Sequence, residues 1–559
     1  MKYYFLILSI FITSYISGYD RITGLDFASR SEVLASNGMA ATSHPLATQT
    51  AVSILKNGGN AIDAAIAANA VLGLVEPTGC GIGGDLFAII WSSDKKKLYG
   101  LNSSGPAPIK LSIDEITKKG LDKIPAYGPL PVTVPGAVAG WTELHKKFGL
   151  MEFNLLFKDA INYAEKGFPV SEVVAYYLGL SSNNFKNYPN FKETWMPDNK
   201  ILKKGDIFKN PHLANTYKKI AQSYGSEFYQ GDIANEIVSF INSQGGYFTI
   251  EDLKNFKPEW IEPVSVNYRG YDVWELPPNG QGIAALQMLN ILENFDIKKL
   301  GFGTSEYIHL FAETKKIVYE DRALYYADPN FSDIPVSKLI SKEYAKNRLN
   351  LIDPNKSSIK FDAGNLENGD TIYLTVADQF GNMVSLIQSN YRGMGSGMVP
   401  NKLGFMLQDR GEMFSLDRNH KNSLLGGKRP FHTIIPAFIS KDGNPLVSFG
   451  LMGGAMQPQG HAQIVINLID FKMNLQEAGD APRIRHIGSS QPTGEKMIDG
   501  GYLSLEKGIS SEEINKLKKL GHKIQYDLGG FGGYQAIMIK DGVYIGASDS
   551  RKDGQASGY

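Results

Sequence analysis

The sequence predicts an α+β protein in which layers of helices pack on sheets of strands. Between residues 150 and about 344, apolar residues recur mainly at helical spacing, whereas after residue 370 short runs rich in β-branched residues alternate with Gly, Asn and Asp turns. A strand-like run at 264–276 interrupts the helical portion, so both portions contribute strands. The chain has 559 residues, more than one ordinary domain of roughly 100–200 residues, and can bury a sizeable core.

Two consecutive helices are predicted before this helical portion. PLATQTAVSILK, at 45–56, has Pro in its first turn and the pair Gly58-Gly59 as its stop signal. NAIDAAIAANAVLGLVEP, at 60–77, is small and apolar on nearly every face, which is typical of a helix packed inside a protein, and Pro77 ends it. Further helices are predicted within 157–170, 214–225, 308–329, 461–471 and 510–521.

A glycine cluster, TGCGIGG at 78–84, leads into the apolar run DLFAIIW, which has the length of a buried strand. Its spacing is not G-x-G-x-x-G, and a strand follows it instead of the helix that a dinucleotide site requires. We therefore interpret the cluster as a close-packed turn.

The second portion is predicted to consist mostly of short strands. Their runs lie at 371–377, 382–389, 404–408, 432–440, 445–450, 534–540 and 543–548. A polar stretch at 351–370 comes before them and is predicted to be exposed. It ends directly before Thr371, the first residue of the first predicted strand.

Charge and cysteine content exclude several classes of protein. The 57 Lys and Arg residues balance 57 Asp and Glu residues, so neither a nucleic acid nor an anionic membrane is indicated as a partner. Cys80 is the only cysteine, so no internal disulfide and no thiol-rich metal site can form. Neither a metal nor an organic cofactor is indicated.

The first 18 residues have the pattern of a secretory signal peptide. A lone Lys2 precedes an apolar run at 5–16, and small residues follow at Ser17 and Gly18. The run is shorter than the roughly 20 residues of a membrane-spanning helix, so no stable membrane span is expected. We expect an exported protein, periplasmic or secreted, with an uncleaved or lipid-linked N-terminus as the alternative.

Thr371 combines a reactive group with an exceptional position. Strand alternation makes it project from the end of its strand, and a hairpin turn at 378–382 returns Ser389, Asn390 and Tyr391 toward the same end. A threonine hydroxyl needs a base to act as a nucleophile, and the chain has no G-x-S-x-G elbow. A cut between Asp370 and Thr371 would free an α-amino group of pKa about 7.7–8.0, which could serve as that base. The alternative is a structural threonine in a strand.

Several blocks of the sequence carry a family resemblance. They include GMAATSHPLATQTAVSILKNGGNAIDAAIAA, VEPTGCGIGG, VPGAVAGW, ELPPNGQGIAALQMLNILE, YEDRALYYADP, GDTIYLTVADQFGNMVSL and the terminal GASDSRKDGQASGY. With these blocks the chain resembles the γ-glutamyltransferase family of N-terminal-nucleophile (Ntn) hydrolases over nearly its whole length. The resemblance implies a four-layer αββα sandwich with two stacked antiparallel sheets, formed jointly by a large chain, 19–370, and a small chain, 371–559.

The resemblance also implies the chemistry. The Thr371 hydroxyl would attack the Asp370 carbonyl during self-cleavage, leaving a heterodimer of the two chains, and would then attack a small-molecule amide substrate. Water or an amine acceptor would resolve the acyl-enzyme. Gly453 and Gly454, in LMGGAMQPQG, match the glycine pair of the family's oxyanion hole, and Ser389 takes the place of a second threonine that supports the nucleophile.

The residues that hold the substrate in better-known members are changed here. The region that carries their arginine reads LNSSGPAPIK, and their Ser-Ser pair falls on His432 and Thr433. Met413 stands at an acidic position, with Glu412 beside it, and Tyr391 replaces an asparagine. The cleavage chemistry is therefore retained, while recognition of a γ-glutamyl group is altered.

Two arginines near Thr371 in the sequence, Arg392 and Arg410, are candidates for the missing cation, with a structural ion pair as the alternative for each. His432 is either a substrate contact or a hydrogen-bonded loop histidine. The predicted substrate-binding residues are Asn390, Tyr391, Arg392, Arg410, Glu412, His432 and Thr433. The segment 414–431 is shorter than the lid loop of typical members, which predicts an open site.

These features resemble most the divergent branch of glutathione-hydrolase-like proteins, oxamate amidohydrolase and cephalosporin acylases. We expect an autoprocessing amidohydrolase that hydrolyses γ-glutamyl amides such as glutathione, or transfers their γ-glutamyl group. A non-glutamyl acylase is the first alternative. An inactive exported binding protein of the same fold is the second, and the intact GDT motif and glycine pair argue against it.

Overall fold

The structure, a computed structural model, describes residues 30–359 and 370–559. The predicted signal peptide, 1–18, lies outside the described residues, as does half of the polar stretch before Thr371, residues 360–369. The described part of that stretch is mostly exposed, as predicted. Among the helices of the described ranges, none combines the length and the hydropathy that a membrane crossing needs.

The strands form two large antiparallel sheets and two small sheets. In chain order they are β1 (Val33–Ala35), β2 (Met39–Thr42), β3 (Asp85–Ser92), β4 (Lys97–Ser103), β5 (Phe168–Pro169), β6 (Ile207–Phe208), β7 (Glu259–Ile261), β8 (Val264–Tyr268), β9 (Tyr271–Glu275), β10 (Asp370–Ala377), β11 (Met383–Tyr391), β12 (Ala437–Lys441), β13 (Asn444–Met452), β14 (Ile484–Ile487), β15 (Tyr502–Leu505), β16 (Ile524–Gln525), β17 (Gly533–Lys540), β18 (Val543–Ser548) and β19 (Gln555–Gly558).

The two large sheets interleave strands from both sides of Thr371. One has the order β1-β18-β17-β13-β12-β9-β8 and the other the order β19-β2-β10-β11-β3-β4-β7. Each sheet therefore contains strands from before and from after residue 370. This agrees with the prediction that both portions of the chain build the sandwich jointly.

Helices cover the outer faces of both large sheets. In chain order they are α1 (Pro45–Lys56), α2 (Ala61–Val75), α3 (Ile113–Lys118), α4 (Ala137–Phe148), α5 (Lys158–Lys166), α6 (Glu172–Phe185), α7 (Phe191–Trp195), α8 (Pro211–Gln222), α9 (Ser226–Gln230), α10 (Asp232–Ser243), α11 (Ile250–Lys254), α12 (Gly282–Leu292), α13 (Ile297–Leu300), α14 (Ser305–Tyr325), α15 (Val336–Leu339), α16 (Lys342–Leu349), α17 (Gln457–Ile469), α18 (Leu475–Asp480) and α19 (Ser511–Lys519).

Three apolar clusters define four layers. One cluster joins α1, α2, α4, α5 and α8 to one face of the β10 sheet. A second joins α12, α14 and α17 to one face of the β13 sheet. The third, which includes Phe87, Tyr373, Phe438 and Ile537, contains residues of both sheets and lies between them. The predicted αββα sandwich is thus confirmed, with its apolar side chains removed from water at each interface.

The two helices before the glycine cluster follow the prediction closely. Every residue of α2 is buried, and its small side chains allow the helix to lie inside the protein. Asn60 caps it, and a capping box with Asp63 satisfies amide groups that have no partner inside the helix. Helix α1 ends at Lys56, directly before the Gly58-Gly59 stop signal.

The strand predicted at 404–408 is wrong, and so is the predicted start of the strand at 432–440. Residues 404–408 are irregular, because Leu407 N–H donates to the Met398 carbonyl at 2.9 Å and Gln408 N–H to the Gly83 carbonyl at 2.9 Å instead of to a neighbouring strand. The run at 432–440 becomes a strand only at Ala437, because Ile434 N–H donates to the His432 side chain and Pro436 has no N–H group. The single run predicted at 264–276 is the hairpin β8–β9.

Candidate active site

Thr371 lies at the open end of the β10–β11 hairpin. The backbone of Asp370 pairs with that of Tyr391, and the register of the ladder shifts directly after this pair. Thr371 Oγ1 lies 3.2 Å from Ser389 Oγ and donates to it, and Ser389 Oγ accepts the Tyr391 N–H at 2.8 Å. Thr371 and Ser389 are fully buried. The hairpin therefore brings together the hydroxyls that its sequence predicted.

The glycine cluster is a close-packed turn against this hairpin, as predicted. A Cβ atom on Gly79 would lie 3.1 Å from the Thr371 carbonyl oxygen, and one on Gly84 would lie 2.3 Å from the Ser389 carbonyl oxygen. The side-chain oxygen of Asn390 would lie 2.4 Å from the same Gly84 position. A side chain at Gly84 would therefore displace the strand that carries Ser389.

Gly453 and Gly454 follow β13 and begin a short 3-10 helix, Gly454–Met456, that runs into α17. Their φ angles of 123° and 55° lie in the region that favours glycine. The first N–H groups of a helix have no partner inside it, and the helix dipole makes this end positive. The pair therefore lies at a helix start, and its role as an oxyanion hole stays a prediction.

Gln281 connects this glycine pair to the predicted substrate pocket. Its Nε2 donates to the carbonyl oxygen of Gly454 at 2.8 Å and to that of Thr433 at 2.7 Å. Its Oε1 accepts a hydrogen bond of 2.8 Å from the fully buried guanidinium of Arg322. The nitrogen of this amide thus holds two backbone turns, and its oxygen holds the Arg322 side chain.

Arg410 is fully buried and lies against the ring of Tyr391, with 4.3 Å between its guanidinium carbon and the ring centroid. Its Nη1 donates to Thr433 Oγ1 at 2.7 Å. Within the described ranges, its Nε and Nη2 have no hydrogen-bond partner. Burial lowers the pKa of Arg410 to about 10. Two donors of a buried cation are therefore available to a ligand.

Arg392 differs from Arg410, because it forms an ion pair with Glu412 at 2.6 Å. This is the structural alternative that the sequence left open for it. Met413 is almost fully buried and belongs to the apolar cluster of the α12 layer. The position that is acidic in better-known members is therefore apolar here.

Asp85 and His432 form a buried pair. His432 Nε2 lies 3.0 Å from Asp85 Oδ2, and both residues are fully buried. Burial raises the pKa of Asp85 to about 7, against the opposing effects of Arg410 and of hydrogen bonds from Gly105, Gln408 and other donors. Burial and the charge of Arg410 hold the pKa of His432 well below its usual value, so this imidazole is neutral. His432 is thus hydrogen-bonded, as one of the two alternatives predicts, and its contact with a substrate stays a prediction.

Buried polar acceptors in the same segments also lack partners. Within the described ranges, no hydrogen bond reaches Asn390 Oδ1, Gln408 Oε1 or Asp409 Oδ2. Burial and Glu412 raise the pKa of Asp409 well above its usual value, which favours the protonated carboxyl. Unsatisfied buried polar groups are costly and recur at binding sites.

A cleft of about 940 Å³ opens beside the site. Thr78, Arg392 and Gly453 line its inner part. Helix α6 and the loop after β16 form its outer walls, where Tyr526 and Leu528 are exposed. The prediction of an open site agrees with this cleft.

Sequence reasoning missed several residues of this arrangement, among them Asp85, Gln281 and Asp409. Asp85 had a signal, because a carboxylate that opens an otherwise apolar strand is unusual. Gln281 lies in the PPNGQG turn, which marked the end of a strand and nothing more. Asp409 had a signal as well, because it directly precedes the candidate residue Arg410.

A possible metal-binding cluster lies elsewhere in the described ranges. His309, Glu313 and His522 have ligand atoms within 4.8 Å of one another. The Lys316 ammonium already pairs with Glu313 at 2.7 Å, so this cluster has a cation within the chain. The expectation of a reaction without metal or organic cofactor stays a prediction.

The αββα sandwich, with a hydroxyl residue at the start of a central strand, defines an Ntn-hydrolase fold. The family model described as Gamma-glutamyltranspeptidase matches residues 47–559. The chain therefore belongs to the γ-glutamyltranspeptidase family.

Individual relatives cover almost the entire chain. A glutathione hydrolase-like proenzyme of Bacillus subtilis is 37% identical over 94% of this chain and 99% of its own. The glutathione hydrolase proenzyme of Escherichia coli is 34% identical over 94% of this chain and 93% of its own. The crystal structure of a cephalosporin acylase from Bacillus halodurans, 41% identical, superposes with a TM-score of 0.88 over 97% of this chain and 99% of that one.

Proposed function

We propose that the chain is an exported, autoprocessing amidohydrolase whose nucleophile is Thr371. The observation that carries the proposal is the contact of 3.2 Å between Thr371 Oγ1 and Ser389 Oγ at the hairpin end. Self-cleavage leaves a large chain that ends at Asp370 and a small chain that starts at Thr371, held together as a heterodimer. The strands that both chains contribute to each sheet support this association.

Self-cleavage begins with attack of the Thr371 hydroxyl on the Asp370 carbonyl carbon. The C–N bond breaks, the hydroxyl proton passes to the departing nitrogen, and an ester joins the two chains. Water hydrolyses this ester, which restores the hydroxyl and leaves a free α-amino group on Thr371. Ser389 supports the hydroxyl as an acceptor and holds the Tyr391 amide in place.

In catalysis, the Thr371 amine takes the proton from its own hydroxyl, and the oxygen attacks the amide carbonyl carbon of the substrate. Backbone N–H groups of Gly453 and Gly454 stabilise the oxyanion that develops. A preorganised donor at such a position contributes about 3–4 kcal/mol to transition-state stabilisation. The amine leaves with the proton, and water or an acceptor amine resolves the acyl-enzyme.

The substrate class proposed first is that of γ-glutamyl amides, including glutathione. The two available donors of Arg410 support it, since a guanidinium can bind a carboxylate through two parallel hydrogen bonds. The unpartnered side-chain oxygens of Asn390 and Gln408 supply acceptors of the kind that an α-amino group requires.

A non-glutamyl acylase is the second candidate. The apolar burial of Met413 favours it, because the family's acidic contact to the α-amino group is absent at this position. An acyl group with a carboxylate and no amine, such as glutaryl or the oxalyl group of oxamate, satisfies Arg410 and leaves Met413 in apolar surroundings.

A denaturing gel with N-terminal sequencing tests the nucleophile. We expect wild type to give two chains, the smaller beginning TIYLTVAD, and Thr371→Ala to remain one inactive chain. Thr375→Ala is the matched control, because Thr375 lies on the same strand, is equally buried and bonds to Ser448. A wild-type protein that stays uncleaved contradicts the proposal.

A panel of glutathione, γ-glutamyl-p-nitroanilide, oxamate and glutaryl amides separates the two candidates. We expect γ-glutamyl compounds to be hydrolysed by wild type and not by Thr371→Ala. Hydrolysis of glutaryl amides or oxamate alone would reject the γ-glutamyl assignment and support the acylase.

A further inference from the structure

We propose that the cleft of about 940 Å³ binds the amine half of the amide substrate and selects amine halves that carry an aromatic ring. This inference rests on the proposed function, because it takes Thr371 as the nucleophile. It extends that function by assigning a binding place to the amine half, the part of the substrate that leaves first.

The two sides of Thr371 differ in exposure. Tyr391 and Arg410, on the side of the predicted acyl pocket, are almost or fully buried. The cleft, in contrast, opens to solvent and reaches the glycine turn at Gly453. When the amide carbonyl is at the nucleophile, the acyl half enters the enclosed side, and the amine half lies in the cleft.

The loop that forms the outer wall packs directly on the glycine turn. A Cβ atom on Gly453 would lie 3.1 Å from the Cα atom of Gly532, and one on Gly532 would lie 2.4 Å from the Met452 carbonyl oxygen. Residues 526–532 are therefore continuous with the candidate oxyanion site. A group that leaves from that site passes along this loop.

Both outer walls present apolar side chains to water. Leu528 and Tyr526 on the loop are 91% and 73% exposed, and Tyr176 and Leu180 on helix α6 are 51% and 48% exposed. All four line the same cleft, and clustered exposed apolar groups mark a binding surface. Tyrosine rings bind another aromatic ring through stacked or edge-to-face contacts.

Charge does not select one sign of ligand in this cleft, because its lining carries both signs: Asp480, Glu506 and Asp527, and Arg392, Lys507, Arg551 and Lys552. Arg392 pairs with Glu412, and Arg551 pairs with Glu506. The ammonium of Lys552 lies 5.1 Å from the ring centroid of Tyr177. Apolar and aromatic contact therefore decides which amine halves bind.

Matched substrates with one acyl group test the inference. γ-Glutamylglycine and γ-glutamylphenylalanine, or the corresponding glutaryl pair, release amines of similar basicity that differ in the aromatic ring. We expect wild type to hydrolyse the phenylalanine compound with a kcat/KM about tenfold higher. When deacylation limits the rate, kcat should be the same for the two compounds, because both give the same acyl-enzyme.

The double variant Tyr526→Ser with Leu528→Asp should reduce the ratio of the two kcat/KM values, phenylalanine compound to glycine compound, to about 1. Both side chains are exposed enough to be replaced without unfolding the protein. Phe380→Ser is the matched control, because Phe380 is 52% exposed at the turn of the β10–β11 hairpin. It should keep the wild-type ratio.

Two results would overturn the inference: equal kcat/KM values for the two compounds in wild type, or a ratio of these values that is the same in the double variant as in wild type. In either case, hydrolysis of the compounds would still support the proposed function. Absence of hydrolysis for every acyl group overturns both.

Discussion

The side-chain amide of Gln281 donates a hydrogen bond of 2.8 Å to the carbonyl oxygen of Gly454. The same nitrogen holds the Thr433 carbonyl at 2.7 Å, and Thr433 in turn accepts from Arg410. One buried amide therefore links the candidate oxyanion turn to the candidate carboxylate site. Under the proposed function, the distance between the two sets how a bound acyl group meets the glycine amides.

We expect Gln281→Met to lower kcat about tenfold or more with little change in KM. The substitution leaves two buried carbonyl groups without a donor, which costs about 1–3 kcal/mol each and lets the Gly454 turn relax. Steady-state kinetics of the processed enzyme measure the effect. Gln287→Met is the control, because Gln287 is also buried but bonds to Asp321 and Tyr326 instead. Equal losses in the two variants would contradict the positioning role.

Ser389→Ala should slow both self-cleavage and turnover by about 10- to 100-fold. The change removes the acceptor for Thr371 Oγ1 and leaves the buried Tyr391 N–H without its bond. Ser389→Thr keeps a hydroxyl and should retain most activity. The rate of appearance of the small chain on a gel measures processing, and Ser385→Ala, on the same strand, provides the comparison. Normal processing in Ser389→Ala would reject this role.

Arg410→Met should reduce kcat/KM by about 100-fold for an acyl group that carries a carboxylate, because that charge loses a bidentate partner. An acyl group without a carboxylate should be hardly affected, so a glutaryl amide is compared with a pentanoyl amide. The exposed Arg418 provides the control variant Arg418→Met. Equal losses on both amides would show that Arg410 does not bind the carboxylate.

Asp85 predicts a pH dependence of stability. Burial raises its pKa from 3.8 to about 7 in the folded protein, so the folded state keeps a proton that the unfolded chain loses. The contribution of Asp85 to the free energy of unfolding is therefore greatest below about pH 4 and falls as the pH rises to about 7. Relative to Asp85→Asn, which cannot ionise, wild type should lose about 3 kcal/mol between pH 5 and pH 8.

Urea unfolding of both proteins at several pH values measures that difference. Asp94→Asn, at an exposed position, should give a profile parallel to that of wild type. A parallel profile for Asp85→Asn as well would mean that Asp85 is ionised throughout this range.

Local patterns were enough for much of the fold. Helices α1 and α2 end where Gly and Pro predict, and the β10–β11 hairpin follows the alternation of its residues. The failures at 404–408 and 432–436 have a common cause. Their amide groups bond to groups outside a strand ladder, such as the Met398 carbonyl and the His432 imidazole, and no local spacing reports such partners.

The sequence by itself determined the class of fold and the position of Thr371 at a strand end, while the use of a freed α-amine as its base stays a prediction. These properties follow from periodicity and from the chemistry of one residue. Only the tertiary structure decided that Arg392 is paired while Arg410 has two available donors, and that Gln281 joins two turns. Such facts depend on contacts between residues far apart in the chain, as between His432 and Asp85, and packing of the two sheets creates them.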